Sequence, residues 1–195
     1  FGMIQNQTER LSHLSEVLLD MTGIQSVERS DSISLAELTD EVCCDLASIA
    51  DQKKVELIQE EGDCTVTGSY LLLYRAVYNL VENAIKYNHS GGKVTVKISQ
   101  TKALPVAHSK PADYALVEVT DTGIGISPEY QEKIFAPFFR VDKSRSRAMG
   151  GAGLGLALVA EIARQHGGQV KVLASSKKGS TIALMLPINS PLIEI

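Results

Sequence analysis

The stretch "VEVTDTGIGISPEYQEKIFAPFFR", residues 117–140, decides how the rest of the chain is read. An apolar strand pattern ends in Asp121, a Gly-x-Gly turn follows, and Ser127–Pro128 marks the start of a short helix with proline in its first turn, where a missing N–H costs nothing. A dinucleotide-binding reading of this turn fails. There is no third glycine, and the helix follows Ser127–Pro128 and does not emerge from the glycines. A phosphate loop of the Gly-x-x-x-x-Gly-Lys-Ser/Thr kind is absent too, and "KKGST" (177–181) runs in the wrong order for it. Two readings of Asp121 stay open. Its carboxylate can brace the turn by accepting local amides. It can also accept from an exocyclic amine of the kind adenine presents, with Gly123 and Gly125 letting a flat base lie against backbone.

Outward from this stretch, strand and helix patterns are mixed. "KVELIQ" (54–59), "CTVTG" (64–68), "KVTVKIS" (93–99), "YALVEVTD" (114–121), "QVKVLAS" (169–175) and "STIALMLP" (180–187) have strand character, and the third and fourth read as a hairpin pair around a polar, proline-containing loop. Ser34 opens a helix with a capping box, Ser34 to Glu37, followed by Leu35, Leu38, Val42 and Leu46. Ser69 caps a second helix running to about Tyr87, and "GLALVAEIARQHGG" is a third, closed by glycine. The elements do not alternate strictly, so the expected fold is α+β: a two-layer sandwich with a mixed sheet and helices on one face. One long helix precedes it. Leu11, Leu14, Leu18 and Met21, with Ile4 a heptad earlier, form the seam of a helix that meets a partner helix.

The second helix carries a chemical stripe. At about 100° per residue, Arg75, Asn79, Glu82, Asn83 and Lys86 share one side, while Leu73, Val77, Val81 and Ala84 face the core. Carboxamide oxygens are hard ligands suited to Mg²⁺, and a neighbouring lysine can pair with phosphate. A solvated helix face accounts equally well for the stripe taken alone. Further on, Gly150-Gly151-Ala152-Gly153-Leu154-Gly155-Leu156 brings glycines to a helix start, where amide donors and the helix dipole favour anionic oxygens; a flexible linker is the plainer alternative. Between the two glycine elements lie "IFAPFFR" (134–140) and the basic "VDKSRSRAMG" (141–150), the composition of a lid with an aromatic anchor or of an ordinary loop.

Composition sets the outer bounds. The 195 residues, 44% hydrophobic, can bury one substantial core. A net charge of −4 and pI of about 5.6 carry no bulk nucleic-acid footprint. Three cysteines, two of them adjacent (Cys43, Cys44), make neither a disulfide framework nor a zinc pattern, and read as reduced and structural. No apolar run approaches the ~20 residues of a membrane span. The chain opens at Phe1 inside a helical pattern, and is expected to be part of something longer.

In order, "NLVENAIKY", "DTGIGI", "IFAPFFR" and "GGAGLGLAL" resemble the N, G1, F and G2 boxes of the ATP-binding domain of bacterial sensor histidine kinases, over residues 30 to 188 or so. That family shares the Bergerat ATP-binding fold with type II topoisomerases, heat-shock chaperone ATPases and mismatch-repair ATPases. The resemblance implies two domains: residues 1–30 as the second helix of the dimerisation and phosphotransfer region, and 31–195 as the catalytic ATP-binding domain. It further implies that Asn83 holds a Mg²⁺ ion bridging the ATP phosphates, with Asn79 beside it. Lys86 and Arg140 would face phosphate, Tyr87 would stack near the base or ribose, and Asp121 would bind the adenine amine, with Gly123 and Gly125 giving the base room. Gly151, Gly153, Leu154 and Gly155 would form the lid's hinge and its amide contacts.

The same resemblance implies a cytoplasmic domain, a response-regulator partner, homodimerisation through the first helix, and membrane attachment only through segments outside this sequence. Two departures stand out. The phosphoacceptor box, a His followed by an acidic residue and Arg-Thr-Pro, is absent; His13, His89, His108 and His166 all lack that context. Ala152 occupies a G2 position where the family often has Thr or Ser, a lost hydroxyl worth about 1 kcal/mol at most. The hydrolytic relatives place a general-base glutamate four residues before the metal-binding asparagine. Here that residue is Asn79, a poor base, which favours transfer to a histidine outside this sequence over hydrolysis. A nucleotide-binding module without catalysis, acting by dimerisation, is the non-enzymatic alternative.

Overall fold

The computed structural model describes residues 27–103, 112–141 and 153–188. The expected N-terminal helix, the hinge glycine Gly151 and Ala152 lie outside them. Strand β1 (Asp31–Ser34) leads into helix α1 (Leu35–Lys53), then β2 (Glu56–Gln59), β3 (Thr65–Gly68), helix α2 (Tyr70–Lys86), β4 (Lys93–Ala103), β5 (Ala112–Asp121), helix α3 (Gly155–Gln165), β6 (Gln169–Ser176) and β7 (Gly179–Pro187). Five strands form a mixed sheet in the order β2-β4-β5-β7-β6, with β2 parallel to β4 and every other pair antiparallel. β1 and β3 pair apart from it as a small antiparallel ribbon.

Period-two alternation gives the sheet its two faces. Val94, Val96, Ile98, Ala115, Val117, Val119, Leu184 and Leu186 share the inner face, where they meet Leu38, Val42 and Leu46 of α1, Leu73, Ala76, Val77 and Leu80 of α2, and Leu158, Val159 and Ile162 of α3. Fully burying one such aliphatic side chain stabilises the fold by about 1.5–3 kcal/mol, so this layer contact dominates. The apolar stripe of α2 is wider than its wheel predicts, since Leu72, Leu80 and Ile85 join it. On the open face stand Thr95, Lys97, Glu118, Thr120 and Thr181 around a shallow depression of about 350 Å³. The α+β sandwich with helices on one face is therefore borne out.

Local departures have local causes. β1 lies in a segment that reads as polar, yet Ile33 is buried against Val66 in the ribbon. β2 starts at Glu56 because Lys54 closes α1 in a left-handed conformation, φ 56°. Ser34 caps α1 as expected, its Oγ accepting from the Glu37 amide at 3.3 Å. The matching carboxylate is Asp63, not Glu37: its Oδ1 accepts from Ser34 Oγ, Ala36 N and Cys64 N. The hairpin strands run longer than their sequence patterns, and the helix expected after Ser127–Pro128 is two single 3₁₀ turns, Pro128–Tyr130 and Lys133–Phe135.

Polar links cross between the helices. The Tyr70 hydroxyl donates to Glu41 and the Tyr74 hydroxyl to Asp45, joining α2 to α1. His166, at the end of α3, accepts the Ser69 N–H at Nε2 (3.1 Å), and its Nδ1 lies 2.8 Å from the Ile162 carbonyl. This pattern requires a neutral ring with the proton on Nδ1. Burial pushes the imidazole below its ordinary 6.5, against the Ile162 bond, which pulls it up. On acidification the unfolded chain takes up the proton first. The His166 contribution is thus fully present above pH 6.5 and is lost as pH falls through 6.5 toward the lower folded value. Urea unfolding of the wild type should show this loss, at up to about 1.4 kcal/mol per pH unit, and a H166Q variant should lack that component of the slope.

Candidate active site

Both asparagines of α2 are held from behind. Asn79 Nδ2 donates to the Arg75 carbonyl and Asn83 Nδ2 to the Asn79 carbonyl, each at 2.8 Å, so the donor half of each carboxamide is occupied and the oxygen is turned away. Asn79 Oδ1 faces the first residue of α3: a Cβ on Gly155 would lie 2.6 Å from it, and 3.6 Å from Asn83 Nδ2. Glycine at 155 is thus what lets the start of α3 pack against the asparagine edge. The residue before it, Leu154, is buried, and no side chain caps this helix start. The first-turn amides and the positive end of the α3 dipole therefore sit beside the Asn79 carboxamide oxygen, with the Asn83 carboxamide next to it.

The other end of α2 carries cations. Lys86 Nζ sits 5.8 Å from the centre of the Tyr87 ring. Burial lowers the Lys86 ammonium below its usual 10.5; Glu82 opposes this, while Arg140 and Lys53 push the same way. Burial raises the Tyr87 phenol, and Arg140 offsets part of it. Arg140 follows the F-box aromatics in sequence but exerts its charge here, at the end of α2.

Asp121 closes β5. Its Oδ1 accepts the Gly123 amide at 2.8 Å, and its Oδ2 accepts the hydroxyl of Ser180, its cross-strand partner on β7, at 2.6 Å. The turn-bracing role is therefore real, and a carboxylate has further lone pairs beyond these two bonds. Sequence reading missed Ser180, because only the β5–β7 register brings it to Asp121. The turn is stitched to α2, with Ile124 N–H donating to the Tyr87 carbonyl at 3.3 Å. A Cβ on Gly123 would lie 2.4 Å from that oxygen. Gly125 sits at φ +70°, and a Cβ there would fall 1.7 Å from the Ser176 carbonyl oxygen; next to it, Ile126 N–H donates to Ser175 Oγ.

The segment between the glycine elements is gathered at its base. Phe138 N–H donates to the Gly153 carbonyl at 2.9 Å, and the Phe139 ring tilts against Tyr130 at 5.7 Å. Phe138 itself is 57% exposed and holds a left-handed φ of 63°. Asn79, Asn83 and Gly155 thus meet at one place, and Lys86, Tyr87, Arg140 and the Asp121 turn adjoin it along the last turns of α2. Among the described residues no group of three or more His, Cys, Asp or Glu could hold a metal by itself.

Comparison with known proteins points the same way. Residues 68–190 match the family described as histidine kinase-, DNA gyrase B-, and HSP90-like ATPase. The chain is 33% identical over 192 residues to the sensor histidine kinase RppB of Synechocystis, covering 96% of this chain and 40% of that protein. It is 35% identical over 186 residues to the sensor-like histidine kinase SenX3 of Mycobacterium tuberculosis, covering 93% of this chain and 43% of the relative. The chain spans less than half the length of both. Among solved structures, the mycobacterial sensor histidine kinase MprB superposes with a TM-score of 0.63 at 28% identity, over 81% of this chain and 97% of that one.

The turn geometry makes a paired prediction. Gly91 also has a positive φ, +78°, but nothing lies within 4 Å of a Cβ placed there. G91A should cost about 1–2 kcal/mol, the left-handed penalty alone, whereas G125A adds overlap with Ser176 and should cost roughly 2–5 kcal/mol, both read by urea denaturation.

Proposed function

We propose that this chain, which belongs to the histidine kinase-, DNA gyrase B-, and HSP90-like ATPase family, binds ATP at the edge of α2 and presents its γ-phosphoryl group to a histidine on a dimerisation helix outside this sequence. The observation that carries the reading is the convergence on α2: the Asn79 and Asn83 carboxamides and the start of α3 at its middle, cations at its end, and the Asp121 turn stitched to its last carbonyl. Adenine would present its amine to Asp121, with Tyr87 beside the base or ribose. Lys86 and Arg140 would neutralise phosphate oxygens, and the amides at Gly153, Leu154 and Gly155 would add donors.

The donor set fits magnesium. Asn83 Nδ2 is committed to the Asn79 carbonyl, which leaves Oδ1 as one neutral oxygen ligand, and Mg²⁺ keeps water and phosphate in its remaining positions. Bound there, the ion would supply charge neutralisation on the transferring group. The protein's own share is positioning, because phosphoryl transfer asks little covalent chemistry of it. Hydrolysis is disfavoured by the position four residues before Asn83. Asn79 holds the Arg75 carbonyl there and offers no base, and Glu82 acts on Tyr78 and Lys86.

The partners follow from the kind of protein the chain resembles. They are a response regulator as the onward acceptor and a second copy joined through residues 1–30, with residues 31–195 as the catalytic unit. The setting is the cytoplasmic part of a sensor that reaches the membrane through other segments. No helix among the described residues is long and apolar enough to cross a membrane.

Calorimetric titration with ATP and Mg²⁺ tests the reading. Wild type should bind, and D121A should lose at least about tenfold in affinity, since a charge-assisted hydrogen bond is worth about 1.5–3 kcal/mol. A folded wild type that takes up no ATP would leave the non-catalytic dimerisation module in its place.

A further inference from the structure

Lys53, the last residue of α1, plays no part in the reading above, yet it ends at the same place. Its Nζ donates to the Lys86 carbonyl and lies 3.4 Å from the Ile85 carbonyl. These belong to the final turn of α2, which carries the negative end of its dipole; the Ile85 carbonyl also accepts the Asn88 amide at 3.3 Å. The backbone fixes the lysine there from both sides. Lys54 turns left-handed with its N–H on the Ala50 and Asp51 carbonyls, the Gly91 N–H donates to the Lys54 carbonyl, and the Glu56 N–H donates to the Gly92 carbonyl. The end of α1 and the loop leaving α2 are thereby joined around the Lys53 side chain.

We infer that Lys53 is a positioning residue for phosphate. It neutralises the carbonyl end of α2, so that Lys86 and Tyr87 face an electropositive site and a polyanion approaching them is not repelled by the helix terminus. The inference rests on the reading of this edge as a nucleotide site. Lys53 and Arg140 both act on Lys86 there, and Glu82 is the carboxylate that opposes them among the described residues. Lys53 and Lys86 gathered at one helix end suit a polyanion, and the triphosphate is such a ligand. Lys53 need not touch it. Its ammonium is spent on two carbonyls, and its effect passes through the field and through the fixed position of Lys86.

Heteronuclear NMR titration separates this role from a structural one, because the amide spectrum reports folding and binding together. Wild type, Lys53→Met and Lys53→Arg are each titrated with ATP plus Mg²⁺ and, separately, with adenosine, which carries the base and ribose but no phosphate. The expected result is a loss of about 3- to 10-fold in ATP affinity for K53M, the range of a helix-terminus charge effect. K53R should restore most of it, and the adenosine affinity should be the same in all three. The ATP deficit of K53M should also shrink as salt is raised. Equal ATP affinity in wild type and K53M overturns the inference, as does an equal loss for ATP and adenosine, which marks a purely structural lysine. A K53M spectrum that is collapsed overturns it as well. If wild type binds neither ligand, the nucleotide reading falls first and this inference with it.

Discussion

The carbonyl of Tyr87 is the junction on which the site depends. It accepts the Ile124 amide of the Asp121 turn just beyond the point where α2 ends, and the close approach it demands leaves no space for a side chain at position 123. Through this contact the polar edge of a helix and the turn at the end of a central strand become one rigid piece. The Asp121 carboxylate and the cations at the end of α2 are consequently held at a set separation. Preorganisation of this kind reduces the ordering that binding must otherwise supply.

Everything beneath this junction serves to hold α2 still. Its buried stripe fixes its height and rotation on the sheet, Gly155 lets α3 meet it at Asn79, and His166 ties the far end of α3 back to its first turn. Tyr70 and Tyr74 join it to α1 along the outer side. The helix is thus clamped at both ends and on both flanks, which is what a scaffold for one preorganised polar edge requires.

The fold was legible in the sequence because the core-facing pattern is regular. Period-two runs at 93–99, 114–121 and 180–187 and the 3.6-period stripes of α1, α2 and α3 name the layers and their inner faces. The asparagine stripe and the glycine turn were equally legible, since local spacing defines them. What escaped was non-local. Ser180 reaches Asp121 only through strand register, Asp63 replaces Glu37 at the α1 cap from a loop far along the chain, and Lys53 meets α2 only because α1 ends beside it. β1 escaped for a different reason: its one buried residue, Ile33, sits among polar neighbours, which is too little pattern to read. The four sequence boxes therefore mark the candidate site, while Ser180 and Lys53 reach it from elements that contact it in space alone.

The central claim is that Asp121, held by Gly123 and Ser180, reads the amine of adenine. Competition between ATP and purine riboside triphosphate, which lacks only that amine, tests it most directly on the wild-type chain with Mg²⁺ present. The account predicts that ATP binds at least about tenfold more tightly, because the analogue leaves a carboxylate oxygen without its donor. Equal affinity for the two would contradict it and return Asp121 to a purely structural role in the turn.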